Sequence, residues 1–298
     1  MKIIYTKEYF VDIEHVFFFD KYKSIYERLV QENTLKEVDF IKPEIPSKLD
    51  LLEISIEEYL KKLETLSRSP EGMLNGENPV NEEILRFAKL NCQGTYLASK
   101  FALKDKISIN LGGGFHHAYP DHEEGFCYLN DIAFAIKKLQ NESLIVKAMV
   151  IDCDVHQGNG TAHIFNKDRN VFTFSIHQED NFPIKETSSF DIGLYSYKNI
   201  TDSIYLEELK VLPKLIEEFK PELIIYEAGA DPYKDDQLGN FKLTKDGLKE
   251  RDNYIIGLAL KNKIPISIVF GGGYSTLEDV VDIHLNTIKT ALSLIKIL

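Results

Sequence analysis

The chain has 298 residues, of which 44% are hydrophobic and 28% charged, with 17 Gly, 10 Pro and no Trp. That balance excludes a disordered or collagen-like chain and supplies enough apolar surface for a large core without covalent staples. Lys and Arg number 35 against 47 Asp and Glu, a formal net charge of −12, which opposes direct binding of a phosphate backbone and is compatible with cationic partners as well as with simple solubility. Cys92, Cys127 and Cys153 form no C-x-x-C pair, so a reducing compartment is expected. Charge begins at Lys2, too early for a secretory leader, and no apolar run approaches the ~20 residues of a membrane span. A cytoplasmic protein is the expectation.

In chain order, an apolar, β-branched run at 2–5 predicts a first buried strand. The stretch from about 20 to 104 reads as mostly helical, broken once at Pro43 and Pro46, with a turn-rich loop over 69–79. Further strands are predicted at 107–111, 148–154, 171–177, 222–227 and 266–270, and helices at 131–140, 205–219, 244–260 and 276–297. Buried strands alternating with helices specify a mostly parallel sheet covered on both faces. No long linker, internal repeat or low-complexity tract interrupts it, so residues 1–298 are read as one α/β domain.

Ligands of open parallel sheets bind outside the carboxyl ends of the strands, and here the strand ends run into polar chemistry. The strand at 107–111 leads into Gly112, Gly113, Gly114, Phe115, His116 and His117. The next leads into Asp152, Asp154, His156 and Asn159, the one at 222–227 into Asp231, and the last into Gly271, Gly272, Gly273 and Tyr274. In extended backbone Asp152, Asp154 and His156 share one face. Two buried carboxylates and an imidazole are costly without a positive charge, and a divalent metal supplies it. Asp231 completes a three-residue set, the usual number for a catalytic zinc site. The bland alternative has the aspartates capping a helix that begins near Gly158. Adjacent histidines after a glycine run are candidates for acid–base work, with Asp152 and Asn159 available to orient them. His122, His163, His177 and His284 lack such company and read as structural or surface residues. Neither glycine run has the G-x-G-x-x-G or Lys-Ser/Thr pattern of a phosphate loop; the second more plausibly frees Tyr274 to hydrogen-bond a developing oxyanion.

These residues closely resemble the zinc-dependent histone deacetylases of the arginase–deacetylase fold. The shared blocks are residues 112–118, 125–131, 152–160, 229–231 and 271–274, collinear over roughly 90–275. Gln93-Gly94-Thr95, residues 109–117, residues 156–160 and Gln237-Leu238-Gly239 lean toward class IV. The resemblance implies zinc ligation by Asp154, His156 and Asp231, with iron(II) able to take the same ligands. It implies proton handling by His116 and His117, with Asp152 behind His116, and carbonyl polarisation by Tyr274. It also implies an acyl-lysine tunnel lined by Gly125, Phe126 and Phe182, and a structural potassium site at Asp152, Asp154, His156, Ser175 and Ile176. Asn159 stands where class I enzymes have an aspartate behind the second histidine, which predicts a less basic His117.

The implied reaction is metal-assisted hydrolysis of an acyl group from the ε-amine of lysine in a protein or peptide, and class IV membership implies longer fatty acyl groups more than acetyl. Competing readings are an acetylpolyamine or other small-molecule amidohydrolase of the same fold, an arginase-like ureohydrolase and a catalytically silent acyl-lysine binder. Tyr274 at the fourth strand end, where a second metal would want a carboxylate, argues for one metal and against the ureohydrolase.

Overall fold

A computed structural model describes residues 1–13, 15–69, 72–74 and 78–296. The N-terminal part contributes β1 (Lys2–Ile4), α1 (Asp20–Gln31), β2 (Phe40–Ile41), α2 (Lys48–Leu51), α3 (Glu57–Leu66), β3 (Met73–Leu74), β4 (Asn78–Pro79) and α4 (Glu82–Asp105). There follow β5 (Ile107–Asn110), α5 (Asp131–Asn141), β6 (Ala148–Asp152), α6 (Asn159–Phe165), β7 (Val171–Gln178) and β8 (Phe190–Leu194). The chain ends with α7 (Asp202–Glu208), α8 (Leu212–Phe219), β9 (Leu223–Glu227), α9 (Lys245–Lys261), β10 (Ile266–Val269) and α10 (Leu277–Ile295).

Eight strands form one sheet in the order β2-β1-β5-β10-β9-β6-β7-β8, and every pairing in it is parallel. The central strands are apolar because both faces are covered: β5, β6, β9 and β10 are buried at every residue. The long helix α4 lies across β1, β5 and β10 and packs on α5. It starts where the Asn81 side chain accepts from the Ile84 N–H at 2.8 Å, an N-cap that satisfies one of the free amides of the first turn. Asn130 caps α5 in the same way through the Ala133 N–H, also at 2.8 Å.

The sheet order matters for the site. Strands β5, β10, β9 and β6 are consecutive neighbours, so the polar strand ends noted in the sequence stand side by side along one edge.

Several expectations need correction. The segment 20–104 is less helical than its pattern suggests, because it also holds β2 and the antiparallel β3–β4 pair. That pair lies in the predicted 69–79 loop, whose residues 70–71 and 75–77 fall outside the described residues, as does residue 297 of the last predicted helix. The short edge strand β2 has only two residues, and β8, at the other edge, is only partly buried and contains Asp191 and Gly193; neither carries the apolar run that marks a central strand. The helix predicted over 205–219 breaks into α7, a 3-10 turn at Leu209–Val211 and α8. Pro213 lies in the first turn of α8, where its missing N–H is tolerated and a continuous helix is not. The strand predicted over 148–154 stops at Asp152, whose own Oδ1 accepts from the Asp154 N–H at 3.1 Å and so draws that amide out of the ladder.

The centre of the sheet is the least forgiving part of the core. Ile268 is fully buried and pairs in register with Ile109 on one side and Tyr226 on the other. Ile268→Ala is expected to destabilise the protein by about 2–5 kcal/mol, read as a lower urea midpoint at unchanged slope.

A candidate metal centre with a histidine pair

Asp154, His156 and Asp231 each offer one ligand atom, and these atoms lie within 4.8 Å of one another. The His156 Nδ1 is 3.0 Å from Asp154 Oδ1 and 3.2 Å from Asp231 Oδ2. All three residues are buried. Burial and the charge of Asp154 both push the Asp231 carboxyl up, which marks more negative charge than the surroundings balance. A buried N/O donor set with surplus negative charge is the chemistry a divalent cation fits. The set can close because Gly272 has φ +54°, and a Cβ there would sit 2.6 Å from Asp231 and 2.7 Å from Asp154. Only glycine allows that approach.

Read as extended backbone, Asp152 shares one face with Asp154 and His156, while by the resemblance it stands behind His116. The structure separates it. Once β6 ends, Asp152 turns to His116, with Oδ2 2.7 Å from His116 Nδ1, while Asp154 accepts from the His156 N–H at 2.8 Å and joins the metal group. Beyond His116, Nε2 lies 3.0 Å from His117 Nε2, and His117 Nδ1 lies 2.8 Å from Asn159 Oδ1. Asp152, His116, His117 and Asn159 thus form one hydrogen-bonded chain. The two imidazoles are held in opposite states. Burial works against a charge on His116, but Asp152 and Asp154 outweigh it and lift the pKa to about 9. Burial and then the neighbouring His116 and His156 drive His117 well below its ordinary value. Asn159 Oδ1 can only accept, so His117 carries hydrogen on Nδ1 and a lone pair on Nε2.

The expected tunnel residues Gly125, Phe126 and Phe182 line one cavity of about 260 Å³ together with His117, His156 and Tyr274. Its wall also contains Asn78, Asn181 and Leu238, none of which stood out in the sequence except Leu238, in the Gln237-Leu238-Gly239 block. Gly125 and Phe126 both have positive φ, +53° and +66°. For Phe126 that is an uncommon conformation, and it turns the ring into the cavity wall, 6.2 Å from the Tyr274 ring. Burial and nearby carboxylates hold the Tyr274 phenol well above its usual pKa, so it remains a donor. Of the residues implied for potassium, Asp152 of β6 is in register with Ser175 of β7, Ile176 follows on the same strand, and Asp154 and His156 belong to the metal group.

Sequence reasoning missed the supports of the Tyr274 loop. Asp236 Oδ2 accepts from the Tyr274 N–H at 2.7 Å, Glu227 Oε1 from the Gly271 N–H at 2.7 Å, and Lys21 Nζ donates to the Gly272 carbonyl at 2.6 Å. Lys21 is fully buried, with its ammonium 4.5 Å from the centre of the Phe17 ring. A lysine in an amphipathic helix ordinarily reads as solvent-facing, so no signal pointed to it. Also unforeseen was a carboxylate beyond Asn159: its amide donates to Glu124 Oε2 and to the Tyr119 hydroxyl, each at 3.1 Å.

Fold and site together define an α/β protein with a candidate metal centre and a histidine pair at the carboxyl edge of a parallel sheet. Residues 15–289 match the family model described as a histone deacetylase domain, and the chain belongs to the histone deacetylase family. It is 32% identical to histone deacetylase 2 of Arabidopsis thaliana over 92% of this chain and 74% of that protein, and 31% identical to histone deacetylase 8 of Xenopus tropicalis over 80% and 69%. The crystal structure of the HDA15 HD domain superposes with a TM-score of 0.85 at 21% identity, over 98% of this chain and 91% of that one, which shows the shared fold.

Burial lowers the Lys21 pKa to about 8 against a nearby set of carboxylates that partly restores it. The unfolded lysine, near its ordinary value of about 10.5, still holds its proton where the folded one has released it. Stability therefore rises with pH between about 8 and 10.5 on this residue's account. Comparing urea midpoints of the native chain and Lys21→Met across that range is expected to show the native chain gaining on the variant as pH increases.

Proposed function

We propose that this protein is a zinc-dependent hydrolase that removes acyl groups from the ε-amine of lysine in proteins or peptides. The observation that carries the reading is the hydrogen-bonded chain from Asp152 through His116 and His117 to Asn159, opening with His156 and Tyr274 on one cavity. Asp154, His156 and Asp231 would hold the zinc, and iron(II) suits the same donors. A bound ion supplies Lewis-acid polarisation and acidifies water. The rest falls to the chain's own groups. His117 Nε2, unprotonated, turns from His116 to take the proton of the attacking water and returns it to the departing amine. His116, held as a cation by Asp152, stabilises the negative charge that builds up. The Tyr274 hydroxyl donates to the acyl oxygen. The potassium site at Asp152, Asp154, His156, Ser175 and Ile176 is part of the same proposal, supported by the pairing of Asp152 with Ser175.

The cavity also bears on the acyl group. Behind the metal group, between Phe17, Phe115, Phe126, Cys127 and Tyr274, only about 10 Å³ is enclosed, room for about one water. That supports acetyl over the longer chains implied by the class IV resemblance, because a fatty chain requires the Phe17–Phe115 wall to open. The acidic surface suits a cationic peptide segment, and equally a polyamine.

Turnover of acetyl-lysine peptide is expected to disappear with a chelator and return with added zinc. His117→Ala and Tyr274→Phe are expected to retain metal by elemental analysis while losing at least ~100-fold in kcat; near-native kcat in either removes that residue from the mechanism. In a panel of acetyl-lysine, myristoyl-lysine and acetylpolyamine substrates, kcat/KM is expected to be highest for acetyl-lysine. A myristoyl preference would show that the phenylalanine wall opens.

A further inference from the structure

Asn159 poses a chemical problem. A carboxylate behind a histidine can only accept, so it fixes the Nδ1–H tautomer by itself. An amide presents oxygen on one side and NH2 on the other, and turned over it would offer donors to His117 Nδ1 and favour the wrong tautomer. Something has to hold the amide the right way round. Its NH2 group faces two oxygens, Glu124 Oε2 and the Tyr119 hydroxyl, each at 3.1 Å. Tyr119 can both donate and accept, so it tolerates either orientation of the amide. A carboxylate tolerates only one.

We propose that Glu124 is a positioning residue that sets the tautomer of His117: its carboxylate accepts from Asn159 Nδ2, which turns Asn159 Oδ1 toward His117 and keeps hydrogen on Nδ1 and the lone pair on Nε2. The geometry around Glu124 suits the task. Its backbone is pinned by reciprocal hydrogen bonds with Cys127, at 2.9 and 3.4 Å, directly before Gly125 and Phe126. Gly125 in turn packs so closely on His117 that a Cβ there would fall 2.3 Å from the imidazole. The carboxylate does not line the cavity that holds His117, so it acts through Asn159 alone. Tyr119 is steadied separately, stacked on His122 at 4.3 Å and donating to Glu186 at 3.4 Å, which leaves its oxygen free to accept. His117, Asn159 and Glu124 form a relay in which the carboxylate stands one residue further back than a direct partner would.

The inference rests on His117 being the base of the proposed reaction, and its test separates the two claims. Nitrogen-15 NMR of histidine-labelled protein reads the tautomer without any turnover. The native chain is expected to show His117 protonated at Nδ1, and Glu124→Ala to show a mixture or a switch to Nε2. In acetyl-lysine assays Glu124→Ala is expected to lower kcat about 10- to 100-fold with little change in KM, while Glu124→Gln, which keeps a carbonyl acceptor, recovers most of the loss. In an Asn159→Asp background, where the acceptor at residue 159 is unambiguous, Glu124→Ala is expected to cost less than threefold. An unchanged tautomer in folded Glu124→Ala, equal losses in the Ala and Gln variants, or the same loss in the Asn159→Asp background would overturn the proposal. A native protein inactive on every acyl-lysine would overturn the deacylase reading, while the NMR comparison would still decide the relay.

Discussion

The rest of the structure depends on one electrostatic constraint: Asp152, Asp154, Asp231 and Glu227 are all buried at one edge of a parallel sheet. Carboxylates taken out of water are tolerable only when each is neutralised, hydrogen-bonded or shared with a cation. Each takes a different route. Asp152 is matched by His116. Asp154 and Asp231 converge with His156 into a metal-type group. Glu227 is pushed well above its usual pKa by burial and by the surrounding carboxylates, and its Oε1 accepts from the Gly271 amide. The site is thus a set of solutions to charge burial, and the proposed chemistry uses the groups those solutions leave in place.

Much of this was legible in the sequence, for reasons that differ by residue. The central strands declared themselves because a sheet covered on both faces needs continuous apolar runs, and β5, β6, β9 and β10 have them. Their order was not legible, since parallel strands remote in sequence become neighbours through crossovers that the local pattern does not encode. The edge strands β2 and β8 were missed because exposure removes the apolar signal. At the site, His116, His117, Asp154, His156, Asp231 and Tyr274 stood out because polar residues directly after buried strands are improbable without function. Asp152 was found and set behind His116 by the resemblance alone: alternation in sequence implies a face shared with Asp154 and His156 only while the strand lasts, and Asp152 ends it.

What escaped was the support. Lys21, Glu124 and Asp236 are ordinary charged residues in ordinary places, and nothing local separates a lysine that crosses the core from one that faces water. Glu124 adjoins the 125–131 block, and that adjacency is its one local signal. Its use became visible only when the amide of Asn159 was seen facing it. A substitution such as Asn for Asp is therefore incomplete information by itself, because the orientation of the amide can be set by a side chain elsewhere in the chain.

The bonds on the Tyr274 loop bear on when the protein becomes competent during synthesis. Lys21 and Gly272 meet across 251 residues of sequence, so the loop that carries the phenol is completed by a helix from the opposite end of the chain. The metal triad and the histidine pair lie within residues 116–231, but β10 stands between β5 and β9 in the sheet, so the two groups come together only when that strand is in place. The phenol cannot be anchored until the last strand has emerged and closed against the first helix. A ribosome-bound chain without β10 would hold an unfinished centre, and the join between the two ends works as a check that the whole domain is present.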